Sequence, residues 1–326
     1  MRSRAGLFAL LVAVSALVAA GAVVSAVLAQ HGETATPTRS AALTPPYVVF
    51  RSLDRSAGAG RFGELTSTPA GAPGRPRRYS GRLCERVYAS AAGGICIARR
   101  RSLIGAYEAQ LLAPDGRVRH SVPLNGVPSR TRVSQDGRYG ATTTFVTGHS
   151  YASPGAFSTE TLLIDMRSGA AIANLESFTV SLEGRVVDAA DVQFWGVTFE
   201  RASDRFYATL ATRGKTYLIR GQVSTRTARV IHRNVECPSL SPDGTRIGYK
   251  KLVRGNGKPW RFHVLDLATG VETPLAETRS IDDQLEWLDD DNVLYGAAGD
   301  VWTVRADGSG AAREYLAAAD SPAVVR

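Results

Sequence analysis

Lysine is nearly missing from this chain: of 39 basic residues only four are Lys, and the rest are Arg. An arginine-biased proteome produces that ratio as readily as a phosphate-binding surface does. The formal net charge of +9 therefore does not point to nucleic acid, and no nucleic-acid-binding motif accompanies the arginines. Catalytic and cofactor signatures are missing too: there is no G-x-x-x-x-G-K phosphate loop, no H-E-x-x-H zinc site and no Asp-box. The five histidines (31, 120, 149, 232 and 263) are scattered, and no C-x-x-C accompanies the three cysteines. No catalytic residue, metal or cofactor is assigned on this basis. Beyond residue 46 helical periodicity is almost absent, which turns the reading toward an all-β chain.

What is present begins with a long apolar run. Residues 5–29, "AGLFALLVAVSALVAAGAVVSAVLA", carry no charge and follow Arg2 and Arg4. A secretory apolar region is about 7–15 residues long, whereas a spanning helix needs about 20. The length favours a retained signal-anchor with its basic end inside the cell. The small residues before Gln30 leave open a cleaved signal ending near Ala29. Either way the body is expected outside the cytoplasm: a single-pass membrane protein, or a secreted one. The charge is uneven along the chain, net +11 over residues 1–130 and −2 over 131–326. Such a basic half fits an anionic envelope neighbour. In an oxidising compartment Cys84 and Cys96, which flank a hairpin-like segment, are expected to be bridged, leaving Cys237 as a buried free thiol.

Residues 31–46 are rich in Pro, Thr and Ala and read as a disordered tether. From 47 onward, short β-branched and aromatic runs alternate with turn signals about every 8–12 residues. The turns repeat: "RVSQDGRYGATTTF" (132–145) matches "SLSPDGTRIGYKKL" (239–252), and each is followed by a second hairpin such as "FHVLDLATGVETPL". Asp-Gly suits tight turns because Asp bonds its own backbone and Gly accepts positive φ. Four short strands per unit, at a period of roughly 40–50 residues, describe propeller blades. Blades are expected over about 83–126, 129–178, 191–233, 234–278 and 281–319, with only three strands before them. The economical closure has residues 321–326 supply the missing inner strand of blade 1, giving a six-bladed β-propeller over 47–326 with no open edge.

The "SPDG" turns and the "VLDLATG" and "VRADGSG" hairpins resemble TolB-type, WD-like propeller repeats. The longer strings "FVTGHSYAS", "FWGVTF", "DRFYATLAT" and "VECPSLSPDG" resemble the TolB-like propeller proteins of actinobacteria, a family labelled "TolB-like translocation protein". The resemblance implies the fold and an exported location. The translocation role of TolB does not follow from it.

Gly148-His149-Ser150-Tyr151-Ala152 comes within one residue of a G-x-S-x-G nucleophile elbow. An elbow needs a helix after it, yet Pro154 and Gly155 follow and no helical pattern succeeds them, so Ser150 reads as a loop serine. The stretch 147–158, with 177–191, 253–260 and 98–102, is expected to form loops on one face of the propeller, where binding usually sits. His149 and Tyr151 on the first loop, and Phe194 and Trp195 near the channel mouth, are the candidate ligand or partner contacts. Arg75, Arg77 and Arg78 are expected in a solvated turn on the opposite face. The six carboxylates of "IDDQLEWLDDDN" (281–292) read as solvated turn acids, because a strand sends alternate side chains to opposite faces. The expected function is a monomeric binding module for an envelope protein or cell-wall component. The rival is a secreted propeller hydrolase or lyase acting at the channel mouth.

Overall fold

In the computed structural model, hairpins of the Ser-x-Asp-Gly type recur with nearly one geometry. Ser134 Oγ donates to Asp136 Oδ1 at 2.6 Å and accepts from Tyr139 N at 2.9 Å; Ser241 Oγ does the same with Asp243 at 2.5 Å and Arg246 N at 2.9 Å. Gly137 and Gly244 follow at φ +67° and +75°, values that a side chain would strain. This local chemistry folds the chain into successive antiparallel hairpins. The structure describes residues 43–56, 61–73, 76–100, 106–147, 157–253 and 259–326. The apolar run 5–29 lies outside them. Among the described residues no helix is long and apolar enough to cross a membrane.

The strands assemble into six sheets, the blades of a propeller. Inner strands are Ala319–Val325 in blade 1, Arg86–Ser90 in blade 2, Val127–Val133 in blade 3, Gln193–Phe199 in blade 4, Glu236–Leu240 in blade 5 and Glu286–Trp287 in blade 6. The expected closure holds: Ala319–Val325 pairs antiparallel with Tyr47–Ser52, so the end of the described chain completes the first blade. The core lies between blades. Phe194, Leu163, Leu175, Phe206 and Ile219 are each at most 1% exposed in the cluster joining blades 3 and 4, and Trp287, Phe262 and Tyr295 fill the seam between blades 5 and 6. Burial of such side chains contributes about 1.5–3 kcal/mol each. Cys84 and Cys96 form a disulfide with a Cα–Cα distance of 5.4 Å, and Cys237 is free and buried.

One expectation is corrected. Residues 177–191 are largely not a loop: Thr179–Leu182 pairs parallel with the outer strand Thr227–Arg233 of blade 4, and Arg185–Val186 folds back on it. The cause is an alternation of apolar residues. Phe178 and Val180 are 8% and 3% exposed against the blade core, with Phe178 edge-on to Phe206 at 5.7 Å. Glu183 and Gly184, at φ 51° and 79°, turn the hairpin as a type I′ pair does. Blade 4 thereby gains two strands at its edge.

Candidate functional site

Four inner strands carry a β-bulge at the same level. In blade 3 the extra residue is Ser129; in blade 4 Gly196 and Val197 oppose Ala208 alone, in blade 5 Cys237 and Pro238 oppose Tyr249, and in blade 1 Ser321 and Pro322 oppose Phe50. Bulges re-aim side chains next to functional sites. Cys237 and Ser321 sit at φ 49° and 52°, a left-handed backbone that costs a non-glycine about 1–2 kcal/mol. Each is held by a specific partner: Cys237 N donates to Thr209 Oγ1 at 2.9 Å, and Ser321 Oγ donates to Val87 O at 3.0 Å. Gly196 has room for nothing more, since a Cβ there would lie 2.6 Å from Cys237 Cα.

Below the bulges a charged cluster closes the channel. Arg132, 5% exposed, pairs with Glu286, 3% exposed, across the axis. Arg132 Nη2 also donates to Ser239 Oγ at 3.2 Å and Leu285 O at 3.1 Å, and its guanidinium lies 4.5 Å from the Tyr88 ring centroid. Glu286 Oε1 accepts from Val324 N at 3.2 Å and Tyr88 Oη at 3.4 Å. Burial, reinforced by the Glu286 charge, pushes the Tyr88 phenol up. Inner strands of blades 1, 2, 3, 5 and 6 thus meet at one waist, with a cavity on either side of it.

The cavity of about 560 Å³ lies on the face of the tight turns, between Gln135, Asp136, Arg201, Pro242 and Asp243. The other, about 270 Å³, opens where inner strands begin and second strands end. The described ends Arg100 and Ala106, Thr147 and Phe157, and Val253 and Pro259, where second strands end and third strands begin, lie on this face. His149 and Tyr151 lie outside the described residues. Phe194 is 1% exposed in the seam between blades 3 and 4 and presents no surface to a ligand, whereas Trp195, next along the strand, is half-buried. On the opposite face Arg77 is held by Ala317 O at 2.5 Å and stacks over Phe50, so it is a packed side chain and not a freely solvated one.

The smaller cavity is built from residues that the sequence reading left as turn acids or did not single out. Asp282 and Asp283 precede the inner strand of blade 6 in irregular backbone, so strand alternation does not separate them. Asp282 bonds Lys250 Nζ; Asp283 accepts from Gly296 N at 2.7 Å and lies 3.7 Å from Arg130. Burial alone would raise the Asp282 carboxyl, but the Lys250 charge outweighs it and holds the group below the usual carboxylate range. Glu236 and Asp320 occupy equivalent places, each one residue before a bulge, in "ECP" and "DSP". Each faces a cation on the neighbouring strand: Lys250 at 3.7 Å from Glu236, and Arg51 at 2.9 Å from Asp320. Burial nevertheless pushes Glu236 up to about 7 and raises Asp320 as well. Among the described residues no cluster of metal-ligating side chains was found.

The fold recurs in solved structures. TolB from Acinetobacter baumannii superposes with a TM-score of 0.58 at 17% identity, over 86% of this chain and 67% of that one. A chain in the crystal structure of a nidogen/laminin complex gives 0.51 at 10% identity, over 86% and 97%. A puromycin-hydrolyzing peptidase of Mycobacterium tuberculosis gives 0.50 at 13% identity, over 85% of this chain and 44% of that chain, so the likeness spans less than half of the peptidase. No family model and no curated protein matches the sequence. The likeness is one of fold: a six-bladed propeller similar to that of TolB.

Proposed function

We propose that this chain is an extracytoplasmic binding module, held at the membrane by residues 5–29 and recognising a protein or envelope component through the face that carries the smaller cavity. It works as a monomer and without catalysis. The observation that carries the reading is the waist: Arg132 and Glu286 close the axis, so the mouth is a blind recess and not a conduit. Recognition on a rigid ring of this kind falls to the recess and to the segments around it. Occurrence of the fold in a nidogen/laminin complex supports a protein partner.

The test is capture from native envelope with the detergent-solubilised full chain, against a variant whose residues 148–157 are replaced by Gly-Ser. A partner retained by the first and lost by the second is the expected result. Equal capture by both would move recognition off this face. The enzyme reading keeps one observation, the convergence of Asp282, Asp283 and Asp320 on the recess, and a resemblance of fold to a hydrolyzing peptidase. Asp282 and Asp320 contact cations at hydrogen-bond distance, an arrangement that suits binding better than proton transfer. Turnover of peptide or glycan substrates that is abolished by Asp283→Asn would reverse this ranking.

A further inference from the structure

The recess has a polarity that the ion pairs around it do not cancel. On one side, Arg86 and Arg130 donate to a single acceptor, the carbonyl of the bulge residue Ser129, from Nε at 2.8 Å and Nη1 at 3.0 Å. One carbonyl therefore holds two like charges together. Arg130 has Asp283 at 3.7 Å, but among the described residues no carboxylate lies within 4.0 Å of Arg86. Its remaining hydrogen bond is to the Glu85 carbonyl at 3.1 Å, and Nη2 has no acceptor among the described residues. Burial, and then the Arg130 charge, hold the Arg86 guanidinium below its ordinary pKa, a deficit that an anionic group would relieve. The other side of the recess is acidic. Asp283 and Asp320 both line it, and Asp320 Oδ1 has no hydrogen-bond donor among the described residues.

We infer that the recess binds a small zwitterion of amino-acid or dipeptide class, its carboxylate on Arg86 and Arg130 and its ammonium toward Asp283 and Asp320. The guanidinium fork suits a carboxylate, because two parallel N–H groups meet its two oxygens. A volume of about 270 Å³ suits a ligand of a few heavy atoms beyond one amino acid and excludes a folded segment. The waist forms the floor, so the ligand enters and leaves by the mouth. The inference rests on the preceding reading only in placing recognition on this face.

The test is calorimetric titration of the full chain in detergent with alanyl-alanine, its C-terminal amide and its N-acetyl derivative. Saturable one-to-one binding of the free dipeptide is expected, and each blocked form should bind about ten-fold or more weaker, the usual consequence of a lost charge-assisted contact. Arg86→Met should weaken the dipeptide by a similar factor, and Arg86→Lys by less. Failure of the folded wild-type chain to bind the dipeptide would overturn the inference, as would equal binding of a blocked form or undiminished binding by Arg86→Met. Should Arg86→Met fail to fold, the blocked peptides on the wild-type chain and the Arg86→Lys variant decide it. Dipeptide binding that survives while no envelope partner is captured would sink the preceding proposal and leave this one standing.

Discussion

Replacing Glu286 by Gln removes a single charge and almost no volume, which makes it the sharpest probe of the waist. The amide oxygen can still accept from Val324 N and Tyr88 Oη, but the amide nitrogen then replaces the oxygen that accepts from Arg132 Nη1, so the change removes both the charge opposite Arg132 and that hydrogen bond. Arg132 is only 5% exposed, so water screens its charge little. Stranding one partner of a buried pair costs about 3–5 kcal/mol. Two features moderate the loss: Ser239 Oγ and Leu285 O go on accepting from Nη2, and the Tyr88 ring stays beneath the guanidinium. The expectation is therefore the lower end, about 3 kcal/mol.

Urea denaturation followed by tryptophan fluorescence reads this as a fall in midpoint at unchanged slope. The double variant Arg132→Met, Glu286→Gln restores charge balance and should return to within about 1 kcal/mol of wild type, because a buried pair replaced by uncharged groups of similar size is close to neutral. A single-variant loss below about 1 kcal/mol, or a double variant that loses the sum of both singles, would refute the argument that uncompensated charge governs the waist.

The remaining predictions follow from burial. Glu236 has its carboxyl raised to about 7, so it binds a proton in the folded state that the unfolded chain has already released. Its stabilisation is complete below the ordinary carboxylate pKa and is lost as pH rises through about 7; Glu236→Gln should flatten that slope in a midpoint-against-pH series, and an unchanged slope would discredit the assignment. Cys237 is 3% exposed, so a thiol reagent should find no reactive thiol in the native chain and one per chain after unfolding without reductant; two or more would mean that Cys84 and Cys96 are not bridged. Phe178→Ala, which empties the seat of the added hairpin on blade 4, should cost about 3–5 kcal/mol, whereas a loop reading of that segment expects almost nothing.

Much of the ring was legible because its information is local. Ser134, Asp136 and Gly137 specify their turn within four residues, and Ser241, Asp243 and Gly244 repeat it, so blades could be counted from turn chemistry alone. The inner strand at Ala319–Val325 was legible by a different route, as the missing member of a blade that otherwise began with its second strand. The hairpin from Thr179 to Val186 escaped although Phe178, Val180 and Leu182 alternate cleanly, because a single short alternation resembles any insertion until the blade edge that it covers is known. The recess escaped for a deeper reason. Arg86, Arg130, Asp282 and Asp320 come from four blades, and nothing in the sequence around any one of them signals the others.

That dispersal also explains how closure and recess depend on one another. The basic side comes from residues 86 and 130, early in the chain, and the acidic side from 282, 283 and 320, near its end. The waist has the same division, Arg132 early and Glu286 late. Before the ring closes, Arg132 lacks Glu286 and Arg51 lacks Asp320, although Asp282 already has Lys250 within its own half. Once Ala319–Val325 pairs with Tyr47–Ser52, Asp320 comes onto Arg51, and Val324 N reaches Glu286. An open ring would leave those groups to water, and burying them unpaired is costly, so electrostatics opposes every partly closed arrangement and favours only the sealed one. The strand that removes the open edge of the first blade therefore also completes the acidic wall. A variant that loosens closure, such as Asp320→Ala, should lose ligand recognition and resistance to unfolding together.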